Sequence, residues 1–383
     1  MIGAPKDKLN ILQVCLSPSW GGLEMSVLKM TKYFLNRGHR CFCLCKKESE
    51  LHTNLHKDRL PHLSIKIFSH YSPWSIFRIR RLIKENGVNV VHSHFLHDLW
   101  LLSPALWEFP QTKLFATCHM LFSRTRKKDW GHRLIYRRLE KIIALTRIAR
   151  KFHLRCLPVS SDDMVVIPNG IDLSKFSPEK YSRNSIREEF MIKANEPMVG
   201  LIGRLAQSKG QEELVYAARD VVKEFPSCRF LMAGEVTKGE GKGVLNKIQD
   251  LIKKFHLENN VIMAGFRTDT PEILKALDIF VFPSYKETFG ISLLEAMAME
   301  IPIVATNSGG VPEILNYGNC AILIPPREAQ PLAEAIKEYL KNTNFAKKMA
   351  VKARKKVEEE YDLNLVLDKI ENLYLNSLGI LQS

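Results

Sequence analysis

The chain has 383 residues, enough for two domains, and its 45% hydrophobic and 25% charged composition excludes disordered, collagen-like and coiled-coil classes. The net charge of +15 is uneven: residues 1–160 hold 28 Lys and Arg against 10 Asp and Glu, net +18, while residues 161–383 net −3. The first half is therefore expected to meet something anionic, and the two halves to have different partners.

From the amino terminus, strand-like apolar runs alternate with helical patterns. LNILQVCLS is followed by a helix over about Leu23–Asn36, then CFCLCK, SIKIFS, a basic helix near Ser75–Glu85, VNVVHSH and KLFATCH. Leu99–Trp107 is the longest apolar run, half the length of a bilayer span, so no transmembrane helix is expected. The first twenty residues lack the apolar stretch and cleavage site of a secretory signal, which points to the cytoplasm. The eight cysteines show no CxxC spacing, and Cys41, Cys43 and Cys45 alternate as on one strand face, so buried free thiols are expected. Ser123–Arg155 is dense in Lys and Arg with interleaved apolar residues and reads as one helix with a basic face.

After a polar, Pro-bearing stretch over Asp172–Pro197 the rhythm restarts. MVGLIGRL, a helix near Glu212–Glu224, CRFLMAGE, a helix near Val244–Phe255, NVIMAGF, DIFVFPS, IPIVAT and AILIPP follow in order. The Gly-rich patch Gly234–Gly243 reads as a surface loop, without the ending of a P-loop. Three helices close the chain, over about Gln330–Lys341, Asn344–Glu360 and Leu363–Leu378, the last amphipathic. Such a βα alternation predicts an α/β fold of two Rossmann-like doubly wound domains facing a crevice, 1–172 and 173–362, with the last helix packing on one of their surfaces.

The densest constellation is PSYKETFGISLLEAM, Pro283–Met297. Glu287 stands in a loop after a buried strand, a helix starts near Gly290, and Glu295 falls in its second turn. The amides of Phe289, Gly290 and Ile291 then form a helix start of the kind that binds phosphate. Taken alone, Glu295 reads as a solvated helix carboxylate and Glu287 as a charge favourable to the helix dipole. Arg204 and Lys209, in GRLAQSKGQ after the first strand of the same domain, add two cations at the same rim, suited to neutralising a diphosphate leaving group. No DxD pair occurs in the chain, so no metal is expected to take their place.

With these motifs the chain resembles the family 4 retaining glycosyltransferases of the GT-B fold. The resemblance is carried by GGLE at Gly21–Glu24, HSH at His92–His94, His119 in TCHM, PNGID at Pro168–Asp172, GRLAQSKG, Glu287–Glu295 and IPIVATNSGGVPEIL. It implies that Gly21 and Gly22 let the first loop approach the donor diphosphate and that Arg204 and Lys209 hold it. It further implies that Glu295 binds the ribose, Glu287 faces the donor sugar, His119 lines the site near the anomeric carbon, and the closing helix, about 363–383, packs back on the first domain. Transfer would retain configuration by front-face departure of the nucleotide, without a side-chain nucleophile, without a cofactor and without a metal. The expected partners are a UDP- or GDP-linked sugar, a glycan or glycolipid acceptor such as lipopolysaccharide core or a lipid-linked oligosaccharide, and an anionic membrane surface met through the basic 124–155 stretch at the inner face of the cytoplasmic membrane. No nucleic acid is expected.

Other readings stand beside these. His92, His94 and His97 have the spacing of a metal cluster, although the resemblance puts HxH at a strand end without a metal. PNGID suits a type I or II turn, and Gly309–Gly310 suits either a turn or backbone approach to a donor. An epimerase acting on nucleotide sugars would need no acceptor. A catalytically silent basic protein binding lipid or nucleic acid would tolerate loss of Arg204, Lys209, Glu287 and Glu295.

Overall fold

The computed structural model describes residues 8–66, 72–120, 127–236 and 243–381. They form two compact units, Met1–Asn169 with Leu365–Ser383, and Gly170–Asn364. The first crossing thus falls at 169/170, ahead of the expected 172. Gly170 sits against the returning chain, where a Cβ would come within 2.6 Å of Leu363 Cα, and Ile171 N and Leu363 N bond Tyr361 O and Ile171 O at 2.8 and 2.9 Å. That contact gives PNGID a steric reason for its glycine.

Unit 1 begins β1 (Asn10–Cys15), α1 (Gly22–Asn36), β2 (Arg40–Lys46), α2 (Glu50–Lys57) and β3 (His62–Ile65). It continues α3 (Pro73–Glu85), β4 (Val90–Ser93), α4 (Leu99–Ala105), β5 (Lys113–Cys118), α5 (Trp130–Tyr136), β6 (Lys141–Ala144), α6 (Arg147–Cys156) and β7 (Met164–Val166). The seven parallel strands run β3-β2-β1-β4-β5-β6-β7. Near-continuous apolar strands such as ILQVC are what a sheet covered on both faces requires. Helix starts follow the usual chemistry, with Ser72 and Thr146 side chains accepting from the third amide on and Pro73 in the first turn. All eight cysteines are free and buried.

Ser123–Arg155 is not one helix. Its apolar residues Ile142 and Ile143 belong to β6, a buried strand hydrogen-bonded between β5 and β7, and only the flanks are helical. The interleaving of cations and aliphatics had two sources, basic helix surfaces and a core strand, which a single helical period cannot separate. Ser123, Arg124 and Arg126 lie outside the described residues, as does part of the Gly234–Gly243 patch.

Unit 2 contains α7 (Asn184–Glu189), β8 (Met198–Ile202), α8 (Gln211–Val221), β9 (Arg229–Ala233), α9 (Gly243–Lys254), β10 (Val261–Gly265), α10 (Thr270–Ala276) and β11 (Ile279–Phe282). It ends with α11 (Ile291–Ala298), β12 (Ile303–Thr306), α12 (Val311–Ile314), β13 (Ile322–Ile324), α13 (Ala329–Lys341) and α14 (Thr343–Glu360). Its parallel order is β10-β9-β8-β11-β12-β13.

The closing helix α15 (Leu363–Ser377) is held in unit 1 by polar as well as apolar contacts. Glu371, only 3% exposed, accepts from His39 Nε2 at 2.6 Å and Arg37 Nη2 at 3.1 Å, while Asp368 bonds the Tyr33 hydroxyl. His39 Nδ1 accepts from Leu9 N at 3.2 Å, so its Nε2 carries the proton given to Glu371. Tyr374 is fully buried against Phe34 and Phe115, with ring centroids 5.6 and 4.8 Å away. Removing one member of a buried pair leaves the other desolvated and costs about 3–5 kcal/mol. Glu371→Ala is therefore expected to lower the unfolding free energy of unit 1, measured by urea titration, by an amount in that range. All five tryptophans lie in residues 20–130, so tryptophan fluorescence reads that unit alone.

Candidate active site

In each sheet the chain reverses its winding at one place, between β1 and β4 and between β8 and β11. Loops leaving the carboxyl ends of such neighbours turn away from each other and leave room for a ligand. The residues singled out from the sequence gather at these two places.

In unit 2 the loop after β8 carries Gly203 and Arg204, then one 3-10 turn over Gln207–Lys209. Gly210 ends that turn at φ +74°, and a Cβ there would lie 2.2 Å from the Pro283 carbonyl oxygen. Only glycine permits both the left-handed backbone and this approach of the β8 loop to the β11 loop. Tyr285 N then donates to Ser208 O at 2.8 Å.

A third strand end locks the same loop. Gly309, at φ +57°, has no room for a Cβ, which would meet the Glu287 carbonyl oxygen at 1.9 Å, and Gly310 N donates to that oxygen at 2.9 Å. The hydroxyls of Ser308 and Thr306 donate to Tyr285 O and Ser284 O at 2.6 and 2.5 Å. The Gly309–Gly310 pair therefore fixes the loop that holds Glu287.

That fixation brings the Lys209 ammonium and the Glu287 carboxylate into a direct hydrogen-bonded ion pair, half-buried on both sides. Arg204 is exposed on the β8 loop, its carbonyl accepting from Gln211 Nε2 at 2.9 Å. Gly290, at φ +90°, turns the chain into α11, and its carbonyl accepts from Leu293 N at 3.2 Å. Glu295 is buried in the second turn and Phe289 is core, its ring 6.0 Å from that of Tyr361. Two cations, a helix start and two carboxylates thus surround the ends of β8 and β11, a donor set fit for a diphosphate and its adjoining hydroxyls.

In unit 1 the loop after β1 is tied down by Asp98, whose Oδ2 accepts from Leu16 N at 3.0 Å. Burial pushes the Asp98 carboxyl up to about 8. Gly21 is extended (φ −174°), and a Cβ there would make only ordinary contact, 3.7 Å from Glu24 Oε2. The loop's own backbone therefore does not demand glycine at this position; Gly22 opens α1. His94 follows β4 and His119 follows β5, with ring centroids 5.6 Å apart.

The histidines are wired into the protein. His92 Nδ1 lies 2.5 Å from the Tyr374 hydroxyl and its Nε2 2.7 Å from Thr117 Oγ1. His94 Nε2 lies 2.7 Å from Gln13 Oε1 and its Nδ1 3.3 Å from His119 Nε2. These hydrogen bonds occupy all four ring nitrogens of His92 and His94, and His97 sits in a separate 3-10 turn with its ring against Phe95. Among the described residues no three His, Cys, Asp or Glu side chains group as metal ligands. Burial pulls His92 down to about 3 and His119 to about 4, so both rings are neutral at pH 7.

Sequence reasoning missed Gln13, Asp98, Thr117 and Tyr374. Gln13 did carry a signal, one amide in the middle of an apolar strand, and Asp98 opened an apolar helix. Tyr374 carried none, because its partner is 282 residues away.

The family described as "Glycosyl transferases group 1" matches residues 182–356, and that described as "Glycosyltransferase Family 4" matches residues 20–175. The chain belongs to glycosyltransferase family 4. This family 4 glycosyltransferase is 23% identical over 385 residues to N-acetyl-alpha-D-glucosaminyl L-malate synthase of Bacillus anthracis, covering 97% of this chain and 98% of that one. It is 24% identical over 390 residues to the UDP-Gal:alpha-D-GlcNAc-diphosphoundecaprenol alpha-1,3-galactosyltransferase of Escherichia coli, covering 97% of each. Among solved structures, a glycosyltransferase from Rickettsia africae superposes with a TM-score of 0.88 at 24% identity, over 97% of this chain and 99% of that one. The fold shared with such proteins is the GT-B architecture of two doubly wound units.

The buried groups set a pH window for unit 1. His92, His119 and His153, the last also held down to about 4 by burial, stay neutral in the folded protein while unfolded histidines protonate below about 6.5. The unfolded state then binds more protons, and stability falls as pH drops from 6.5 towards 4. Asp98 acts in the opposite sense: it stays protonated in the fold up to about 8 but ionises in the unfolded chain near 4, so its contribution declines as pH rises between these values. Urea midpoints read by tryptophan fluorescence are expected to peak near pH 6.5, and Asp98→Asn to remove the decline from 6.5 to 8.

Proposed function

We propose that this glycosyltransferase is a retaining, metal-independent enzyme that moves a sugar from a UDP- or GDP-linked donor to a membrane-associated glycan acceptor. The observation that carries the donor assignment is the rim at β8 and β11, where glycine-enforced loop contacts hold Lys209 beside Glu287 next to the start of α11. A diphosphate offers Lys209 a stronger anionic partner than one carboxylate, so donor entry exchanges the Glu287 contact for phosphate oxygens and leaves Glu287 to meet the sugar. Arg204 and Lys209 then stabilise the charge that grows on the departing diphosphate, the role a divalent metal plays in other transferases. Glu295 takes the ribose hydroxyls. His119, neutral and at the end of β5, meets a sugar hydroxyl and supplies no nucleophile.

Lys209→Ala is expected to lower kcat more than it raises the donor KM, because the charge it opposes is larger in the transition state. Glu295→Ala is expected to weaken donor binding tenfold or more, since a hydrogen bond to a charged group is worth about 1.5–3 kcal/mol. Turnover unchanged by EDTA supports the metal-free reading; loss reversed by Mg²⁺ or Mn²⁺ overturns it. Nucleotide release measured against glycosylated acceptor separates transfer from epimerisation.

The acceptor side rests on unit 1's surface and on likeness to the E. coli enzyme, whose name specifies a diphosphoundecaprenol-linked acceptor. Trp74 and Phe77 on α3 are 69% and 58% exposed and stack at 6.1 Å, and Trp130 on α5 is 81% exposed. Exposed Arg78, Arg133 and Arg137 accompany them, and Arg147, Lys151 and Arg155 are exposed at four-residue intervals on α6. Aromatic rings among cations suit the interface of an anionic bilayer, which supports a peripheral position at the inner face of the cytoplasmic membrane. Among the described residues no helix is long and apolar enough to cross it.

The two cations Arg138 and Lys141 are excluded from that surface. Arg138 donates to Phe109 O and Thr112 O at 2.8 and 2.7 Å, and Lys141 to Asp162 O at 2.7 Å, so both hold loops together. Arg133 Nε likewise donates to Lys128 O at 3.0 Å, so charge reversal at Arg78, Arg137 and Lys151 is the informative change. At about 1 kcal/mol per cation near an anionic surface, it is expected to abolish sedimentation with anionic vesicles at low salt while donor binding persists. Retained sedimentation refutes the membrane surface, and preferential retention of duplex DNA favours a nucleic-acid partner.

A further inference from the structure

Gln13 is fully buried in the middle of β1, in register with His92 of β4 and Cys43 of β2. Burying a carboxamide among apolar neighbours is costly unless its polar atoms are used. Its Oε1 lies 2.7 Å from His94 Nε2. A carbonyl oxygen only accepts, so His94 Nε2 carries a hydrogen, and in a neutral imidazole Nδ1 is then a bare lone pair. Facing that lone pair at 3.3 Å is His119 Nε2, which must be the donor. His119 Nδ1 is left unprotonated.

The His119 tautomer follows the carboxamide orientation. Turned over, Gln13 would present its NH₂ to His94 Nε2, reverse both tautomers and leave His119 Nδ1 carrying a hydrogen. In the orientation found, Gln13 Nε2 makes no hydrogen bond, and the amide joins the histidines through Oε1 alone. Beside it the Tyr374 and Thr117 hydroxyls lie 2.5 and 2.7 Å from His92 Nδ1 and Nε2. A hydroxyl both donates and accepts, so these two fit either tautomer of His92, and the Gln13 carboxamide is the group that selects the Nε2–H tautomer of His119.

We propose that Gln13 is a positioning residue that fixes the Nε2–H tautomer of His119 through His94, so that His119 presents Nδ1 as a hydrogen-bond acceptor to a substrate hydroxyl. The hydroxyl half of this statement rests on the glycosyltransferase reading; the tautomer half does not. A neutral, correctly oriented acceptor engages a sugar hydroxyl without placing a positive charge beside the developing oxocarbenium. The other tautomer would turn a donor towards the same group.

The test uses the full chain, without ligand, labelled with ¹⁵N-histidine, and two-bond ¹H–¹⁵N spectra at pH 7 that distinguish the tautomers. His119 is assigned by the signals lost in His119→Asn. The expected wild-type pattern has Nε2 protonated and Nδ1 bare; an Nδ1–H pattern overturns the proposal without any variant. Gln13→Met, similar in size but without an acceptor oxygen, is expected to mix or reverse the His119 pattern and to lower kcat roughly tenfold or more with donor KM little changed. A purely structural role would leave the ring pattern of a folded Gln13→Met protein as in the wild type, and that result overturns the assignment. An altered pattern with full kcat overturns the link to the hydroxyl. Absence of transfer in the wild type refutes the glycosyltransferase reading while the spectra still decide the tautomer.

Discussion

Adjacent parallel strands whose connections wind in opposite directions cannot be bridged at their carboxyl ends, and the candidate site of each unit depends on that constraint. It occurs between β1 and β4 and again between β8 and β11. At both places the chain must leave the sheet through short loops, and backbone amides, carbonyls and short side chains are exposed where strand pairing stops. Gly203, Arg204 and Lys209 leave β8, and Glu287 leaves β11; His94 leaves β4. The chemistry is carried by loops, but its precision comes from the strands that launch them.

The two places are stiffened differently. In unit 2 the rigidity is steric: Gly210 and Gly309 allow carbonyl oxygens of neighbouring loops into space that any Cβ would fill, and the ion pair of Lys209 and Glu287 is a consequence of that approach. In unit 1 it is polar: buried amide, phenol and imidazole groups lie beneath His119, with Gln13 bonded to His94 and Tyr374 to His92. Steric locking suits a site that must hold fixed charges against an anion. A hydrogen-bonded chain suits one that must hold a proton at one nitrogen rather than another.

Helix α15 joins these themes. It enters unit 1 through Glu371, which pairs with Arg37 and accepts the His39 Nε2 hydrogen bond, and through Tyr374, which meets His92. The last turns of the protein are thereby both a structural strap and part of the wall behind the histidines. Cysteine and charge usage fit the same division, with thiols confined to the core and basic side chains left on α3, α5 and α6, apart from those such as Arg138 that cap loop carbonyls.

Local periodicity determined the doubly wound class, the restart after residue 172, the amphipathic last helix and the loop positions of Arg204, Lys209, Glu287, Gly290 and His119, because strands and helices here are patterned by neighbours a few residues apart. It failed at Ser123–Arg155, where a buried strand and two basic helices share one stretch and their periods overlap. Only the tertiary structure decided that Gly309 and Gly310 support Glu287 and that Gly21 is not sterically required by its own loop. The same holds for Arg138, which serves loops rather than solvent, and for Gln13 and Tyr374, which stand behind His119. Those contacts join residues far apart in the chain, and whether a polar side chain is a partner, a ligand or a surface group depends on which distant backbone comes within hydrogen-bonding reach, a fact no local pattern contains.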